Sequence, residues 1–347
     1  ASGAPLYENP MAYPNYPPLS YYIIGNLGAF FGNIVSTGRM ISLFSVAFIS
    51  VGVFFILRRH SKSFRVSFLG LLWTLSLLGI FAPDYIAMNH PQFLAHAVMM
   101  GSMLFYIHFR ASEKPCLRIL VVAAILAVTA LFIKHNLLAF PFAVSLDLLL
   151  HSRRRLVVWC VSFFGVGAAA LFILNYQTEG RLIEALLAKR QYDLEGMFHR
   201  LRFSILVLAI PLLCSFKTAK ETLRDSKWRW LSIYFFCSLG LGIAAFSGAG
   251  IDVNLMFDFV IAASILITLA SANPSSKYVL PAIIILLSVG SVLRLSTMPS
   301  RSEIKTKEAL YERDVEIIRS IPGPAICEDL LICFWAGKPL QFETFLI

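Results

Sequence analysis

Charged side chains are scarce in this chain: they make up 14% of its 347 residues, against about 25% in an ordinary soluble domain. Hydrophobic residues reach 58%, which excludes a water-soluble globule and points to a chain that lives in lipid. Cysteine is also sparse. The six present (Cys116, Cys160, Cys214, Cys237, Cys327 and Cys333) show no CxxC and no Cys/His metal spacing, so zinc is not indicated and little follows about redox compartment. There is no GxSxG, no P-loop GxxxxGKS/T, no HExxH and no GxGxxG after a strand. SGAG (247–250) falls in a membrane-edge turn, which argues against a soluble type of phosphate cradle. No cofactor motif stands out, and a divalent cation, though compatible with the chain, is not indicated. The sequence holds no internal repeat of fixed period.

What charge there is carries information through its position. The thirty Lys and Arg outnumber the twenty Asp and Glu, but they sit in short clusters between apolar runs, the pattern of a membrane protein and not of a nucleic-acid binder. Ten apolar runs read as spans: 39–57, 66–82, 91–109, 119–133, 137–150, 156–174, 201–216, 230–246, 255–271 and 278–297. The 137–150 run is the weakest, being short and containing Pro141. Residues 19–31 are too short to span and are expected at the interface. If the spans alternate, RRHSKSFR (58–65), RASEKPCLR (110–118), HSRRR (151–155), KTAKETLRDSKWR (217–229) and SANPSSK (271–277) share one face and carry sixteen Lys/Arg. The opposing short loops PDYIAMNH (83–90), KHN (134–136) and SGAGIDVN (247–254) carry one. The basic face is therefore read as cytoplasmic, in an inner membrane, with the site facing the periplasm or exterior.

The expected domain plan is an outer loop and interfacial helix over 1–38, a transmembrane bundle over 39–297, and the beginning of an outer soluble domain over 298–347. The fold class is an all-α polytopic bundle of about ten transmembrane helices, with the start of a small α/β domain at the C-terminus. SEIKTKEALYERDVEIIRSIPG (302–323) reads as an amphipathic helix, and PAICEDLLICFWAGKPLQFE as a strand, a turn and a further element. TEGRLIEALLAKRQ (178–191) reads either as a helix lying flat on the membrane or as an ordinary connector. An outside start at Ala1 and an abrupt end at Ile347 are read as trimming at both ends.

Ionisable groups near a membrane core are costly, so their grouping is informative. Asp84, Asn89, His90 and Gln92 flank the third span, Lys134, His135 and Asn136 separate the fourth and fifth, and Asp252, Asn254 and Asp258 straddle the start of the ninth. Three outer turns thus converge on polar chemistry, the mark of an outward cleft. Structural roles compete: Lys134 and His135 as snorkelling helix ends, Asp258 as a packing hydrogen bonder, His90 and Gln92 as interfacial residues. Asp147 is expected to pair with the HSRRR cluster. The opening stretch YPNYPPLSYY (13–22) combines three prolines that stiffen an extended backbone with four tyrosines suited to sugar faces or to interfacial anchoring.

YPNYPPLSYYIIGNLGAFFGNIVSTGRMISL, with Tyr16-Pro17-Pro18-Leu19 followed by Gly38-Arg39, resembles the first outer loop and second span of polytopic glycosyltransferases of the GT-C class, close to family 39 and the bacterial protein mannosyltransferase-like enzymes. NHPQFLAHA (89–97), KHNLLAFPFA (134–143), GAGIDVNLMFD (248–258) and GPAICEDLLICFWAGKP (323–339) extend the resemblance over nearly the whole chain. It implies transfer of a sugar from a polyprenyl-phosphate donor to a lipid or glycan acceptor on the outer side of the membrane. It further implies a base in the first outer loop, expected upstream of Ala1, with Asp84, Asp252 and Glu8 as candidates within the chain. Tyr13, Asn15, Tyr16, His90, Gln92, Asn254 and Asp258 are the substrate-binding candidates, and Lys134, His135 and Arg39 the candidates for the lipid phosphate. His90-Pro91-Gln92 departs from the acidic residue usual at that position. A transporter or lipid-linked sugar flippase, and a noncatalytic membrane subunit, are the alternative classes. The matched half-repeats common among transporters are not seen.

Overall fold

The computed structural model describes residues 16–187, 193–248, 252–272, 298–327 and 329–339, together with 285, 287, 289, 290, 292 and 296. Glu8, Tyr13 and Asn15 lie outside the described residues, as does most of the 278–297 run. The described chain is helical throughout, and it divides into two compact units.

The first unit, built from the described residues of 16–173 and 189–290, is a membrane bundle. It contains α1 (Leu19–Phe31), α2 (Ile34–Ser61), α3 (Phe64–Phe81), the single turn α4 (Pro83–Ile86), α5 (Pro91–Ala111), α6 (Leu117–Ile133), α7 (Ala139–His151) and most of α8 (Arg153–Gln177). After α9 (Arg181–Leu186), which belongs to the second unit, it resumes with α10 (Leu194–Arg224), α11 (Arg229–Ala245), a 3-10 turn at Val253–Met256 and α12 (Phe257–Ser271). Five helices are long and apolar enough to cross a bilayer: α2, α3, α5, α8, and the 3-10 turn with α12. Shorter apolar helices (α1, α6, α7 and α11) complete the bundle, so five of the described helices, not ten, meet the length requirement on their own. α2, at 28 residues, is about 42 Å long and overreaches the ~30 Å hydrocarbon core. α1 packs on α2 and α6 and so forms part of the bundle.

Local sequence explains where the helices start. Asn33 accepts from the N–H of Ser36, Ser63 from that of Val66, and the His90 ring from that of Gln92, with Pro91 in the first turn where no N–H is needed. Within the bilayer no water can satisfy a hydroxyl, and Thr74, Ser264 and Thr268 instead donate to the carbonyls of Gly70, Val260 and Ser264, one turn earlier in the same helix. Burial separates the inner helices from the lipid-facing ones. α12 is buried without a break from Phe257 to Thr268, whereas Trp159 is the buried residue of α8, an apolar helix that presents its sides to lipid.

The basic loops gather at one end of the bundle. Arg110 at the end of α5 donates to the Ser226 carbonyl in the turn before α11 and pairs with Asp147 on α7 (Nε to Oδ2 3.0 Å), which also accepts from Tyr106 Oη at 2.6 Å. Asp147 therefore pairs across helices with Arg110 and not with the neighbouring HSRRR cluster, because its side chain is fully buried and faces α5.

The second unit contains α9, α13 (Arg301–Ser320) and α14 (Leu330–Trp335). α13 opens on a capping box in which Ser300 and Glu303 serve each other's backbone N–H groups, and these bonds hold the Glu303 carboxyl below its usual range. The expected strand is not formed: no strand occurs among the described residues. Pro322 and Pro324 lack the N–H groups a ladder needs, and the chain after α13 is irregular before it enters α14. A Cys327–Cys333 disulfide closes that loop, and Arg319 Nη2 donates to the Trp335 carbonyl at 2.8 Å, pinning α14 to α13.

Candidate functional site

At the end of the bundle opposite the basic loops, four turns meet around aromatic side chains. Tyr16 opens the group, just before α1. The Lys134 ammonium lies 3.5 Å from the centroid of the Tyr16 ring, a cation–π contact made by a lysine that is only 4% exposed. Lys134 is the C-cap of α6, where the negative end of the helix dipole favours a cation. On its other side Tyr16 meets His90, with Oη 3.5 Å from Nε2 and the rings edge to face.

His90 is held by its own helix start. Its Nδ1 accepts from the Gln92 N–H at 3.2 Å, which leaves the proton of the neutral ring on Nε2, facing Tyr16. Burial, and then the nearby Lys134 charge, push the imidazole down to about 3, so it is uncharged at neutral pH. Tyr85 packs against the second edge of His90, its ring centroid 5.1 Å away. Its Oη donates to Asp252 Oδ2 at 2.7 Å, and burial together with that carboxylate raises the phenol well above its usual range. A continuous series of contacts thus runs Lys134, Tyr16, His90, Tyr85, Asp252, bringing together four stretches that are far apart in the chain.

Other candidates distribute around this series. Asp84 is exposed in the same turn as Tyr85 and makes no hydrogen bond or ion pair among the described residues. Asp252 is occupied: its second oxygen accepts from the Val253 N–H at 2.7 Å, capping the 3-10 turn. His135 is part-buried next to Lys134, and Asn254 is buried two residues beyond Asp252. Arg39 is exposed on α2 and makes no hydrogen bond or ion pair among the described residues. Its neighbour Gly38 has a clear role, because a Cβ there would lie 1.9 Å from Asn89 Oδ1; the missing side chain lets the 87–90 turn rest on α2.

Gln92 and Asp258 are drawn into a separate, buried group. Asp258 Oδ1 accepts from Tyr234 Oη at 2.6 Å and lies 3.4 Å from His96 Nε2, while His96 Nδ1 donates to the Gln92 carbonyl at 2.9 Å. Phe257 separates the two groups, stacking on Phe93 at 4.9 Å, meeting Tyr85 edge to face and lying tilted against His96. Sequence reading missed Tyr85, His96 and Tyr234. The available signals were the placement of Tyr85 beside Asp84 in PDYIAMNH and of His96 one helical turn after Gln92. Among the described residues no three His, Cys, Asp or Glu side chains gather as a metal site.

Comparison with known proteins fits this architecture. A family model described as a 6-pyruvoyl-tetrahydropterin synthase related domain, membrane protein, matches residues 13–175, just under half of the chain. No curated protein matches by sequence. The apo crystal structure of ArnT from Cupriavidus metallidurans is similar in fold, with a TM-score of 0.61 at 13% identity over 88% of this chain and 59% of that one. The Archaeoglobus fulgidus oligosaccharyltransferase, crystallised with Zn and sulfate, is similar at a TM-score of 0.51 and 12% identity, over 100% of this chain and 52% of that one. The chain thus spans a little over half the length of either relative. At this identity the likeness is one of fold: a multi-pass membrane bundle similar to those two structures.

Proposed function

We propose that the chain carries a site for transfer of a sugar from a polyprenyl-phosphate donor to a hydroxyl of a lipid or glycan acceptor, at the end of the bundle where the 83–90, 134–136 and 252–254 turns meet. The observation that carries this reading is the buried Lys134 held over Tyr16, within one connected group that also contains His90, Tyr85 and Asp252. A buried ammonium at the membrane edge suits a lipid phosphate, which gains charge as it departs. In the proposed step the bond between the sugar C1 and the phosphate oxygen breaks, its electron pair leaving with the polyprenyl phosphate. The acceptor oxygen bonds to C1 from the opposite face, and its proton passes to Asp84, the exposed carboxylate of this group. Asp252, already bonded to Tyr85 and to its own backbone, positions the turn. Neutral His90 and the tyrosines offer uncharged donors and aromatic faces for the sugar. The family 39 specificity and an outward-facing site in the inner membrane belong to this proposal and rest on the motif resemblance and on the loop charges.

The test is transfer of labelled sugar from polyprenyl-phosphate donors in membranes containing the wild-type chain, Asp84→Asn or Lys134→Ala. Loss of a positioned base reduces turnover by about 10²–10⁴-fold. Lys134→Ala should weaken donor use more than acceptor use, and activity unchanged in both variants overturns the assignment. Transport is the second reading, favoured by the buried His96–Asp258 contact inside the bundle. It requires movement of a sugar lipid between leaflets with no transfer product.

A further inference from the structure

The opposite end of the bundle holds a cavity of about 830 Å³ whose wall includes Arg58, Arg59, Lys62, Arg110 and Lys227, and no carboxylate. Arg110 is the buried member, its side chain 5% exposed and fixed by Asp147 and the Ser226 carbonyl. Arg58, Arg59, Lys62 and Lys227 are exposed and make no side-chain hydrogen bond or ion pair among the described residues. Asp225 is engaged with its own turn, accepting from the Lys227 backbone N–H at 2.9 Å. Four cations with no ion pair among the described residues therefore line one concavity. Its inner wall adds Trp230, buried, with an indole N–H that has no hydrogen-bond acceptor among the described residues. Snorkelling alone would let these side chains spread toward water; here they line one half-open concavity.

A second feature identifies what fills it. Phe44, Phe48, Val51 and Phe55 are exposed apolar residues at spacings of four, three and four along α2, so they form one stripe on the lipid-facing side of the helix. Phe55, at the end of that stripe, also lines the cavity. A ligand with a phosphate in the cavity and hydrocarbon running along the stripe satisfies both features, whereas a free phosphate uses only the first. We infer that this cavity binds the headgroup of an anionic phospholipid in the leaflet at the basic end of the bundle, separately from the sugar-transfer site proposed above.

The test uses the full chain in neutral detergent, titrated with phosphatidylglycerol or phosphatidylcholine and read by native mass spectrometry as lipid retained per protein. Wild type is expected to retain phosphatidylglycerol in preference to phosphatidylcholine. Each removed charge should weaken retention about fivefold, so Arg58→Gln/Arg59→Gln/Lys227→Gln should lose well over tenfold, while phosphatidylcholine retention stays unchanged and reports an intact fold. Arg153→Gln/Arg154→Gln, exposed cations outside the cavity wall, should change retention less than about twofold, well short of a single cavity charge. Inorganic phosphate should fail to displace the lipid. Equal retention of the two lipids by wild type, an equal loss in the Arg153/Arg154 control, or displacement by inorganic phosphate alone would each overturn the inference.

Discussion

Tyr85 and Asp252 stand 167 residues apart in sequence, yet the phenol of one donates to the carboxylate of the other at 2.7 Å, joining the turn after α3 to the turn before α12. The bond fixes the position of α4, and with it Asp84 on one side of Tyr85 and His90 across its ring. Tyr85→Phe removes this bond while keeping the ring. The expected loss is about 1–2 kcal/mol of stability in detergent, because the acceptor is charged but Asp252 remains solvated. Sugar transfer should fall by more than that loss of folded protein explains, since Asp84 is no longer held. Asp252→Asn, which still accepts from Tyr85, should retain most of the activity.

The Gly38 and Asn89 contact gives a prediction of coupling. Gly38→Ala drives a methyl group into the exposed Asn89 amide, which can swing aside, and should destabilise by under about 1 kcal/mol. Asn89→Ala makes the space, so the double variant should recover most of that stability. Additive losses in a thermal-unfolding cycle would show that the two residues do not touch.

Sequence showed the membrane class, the positions of most helices and the two polarised ends, because apolar runs and loop charge are local properties. The grouping of 83–90, 134–136 and 252–254 was also legible, as charges placed beside spans are few. Partner choice was not. Asp147 lies near HSRRR in sequence but meets Arg110 through helix packing, and Asp258 finds His96 and Tyr234 on two other helices. The 324–339 segment carries strand-forming residues, yet Pro322, Pro324 and the Cys327–Cys333 disulfide lead it into a loop and a short helix.

Asp258 tests the buried polar group inside the bundle. Asp258→Ala leaves the Tyr234 hydroxyl without its acceptor and removes the carboxylate beside His96, and should cost about 1–3 kcal/mol, seen as loss of folded protein on extraction. Asp258→Asn keeps an acceptor for Tyr234 and should lose markedly less. Equal loss in both would mean that charge, and not hydrogen bonding, is what His96 and Tyr234 require.

His90 sets a pH dependence of definite sign. Its folded value, about 3, lies below the ordinary 6.5, so the folded chain resists protonation there. The stability this provides is fully present above pH 6.5 and is lost progressively as pH falls from 6.5 toward 3. His90→Asn retains a capping acceptor and does not titrate. The stability difference between wild type and His90→Asn should therefore be flat from pH 7 to 8 and should move against wild type below 6.5. A difference independent of pH from 7 down to 4 would contradict the buried, neutral assignment.

The central claim, that lipid phosphate is held where Tyr16, Lys134 and His90 meet, is tested most directly by photocrosslinking the full chain in membranes. The probe is a polyprenyl phosphate with a photoreactive group in its first isoprene unit, and the adducts are mapped by mass spectrometry. The expected adducts fall within 16–22, 83–92 and 134–139 and are lost in Lys134→Ala, while excess unlabelled polyprenyl phosphate competes them away. Adducts confined to the basic end, or persisting undiminished in Lys134→Ala, would contradict it.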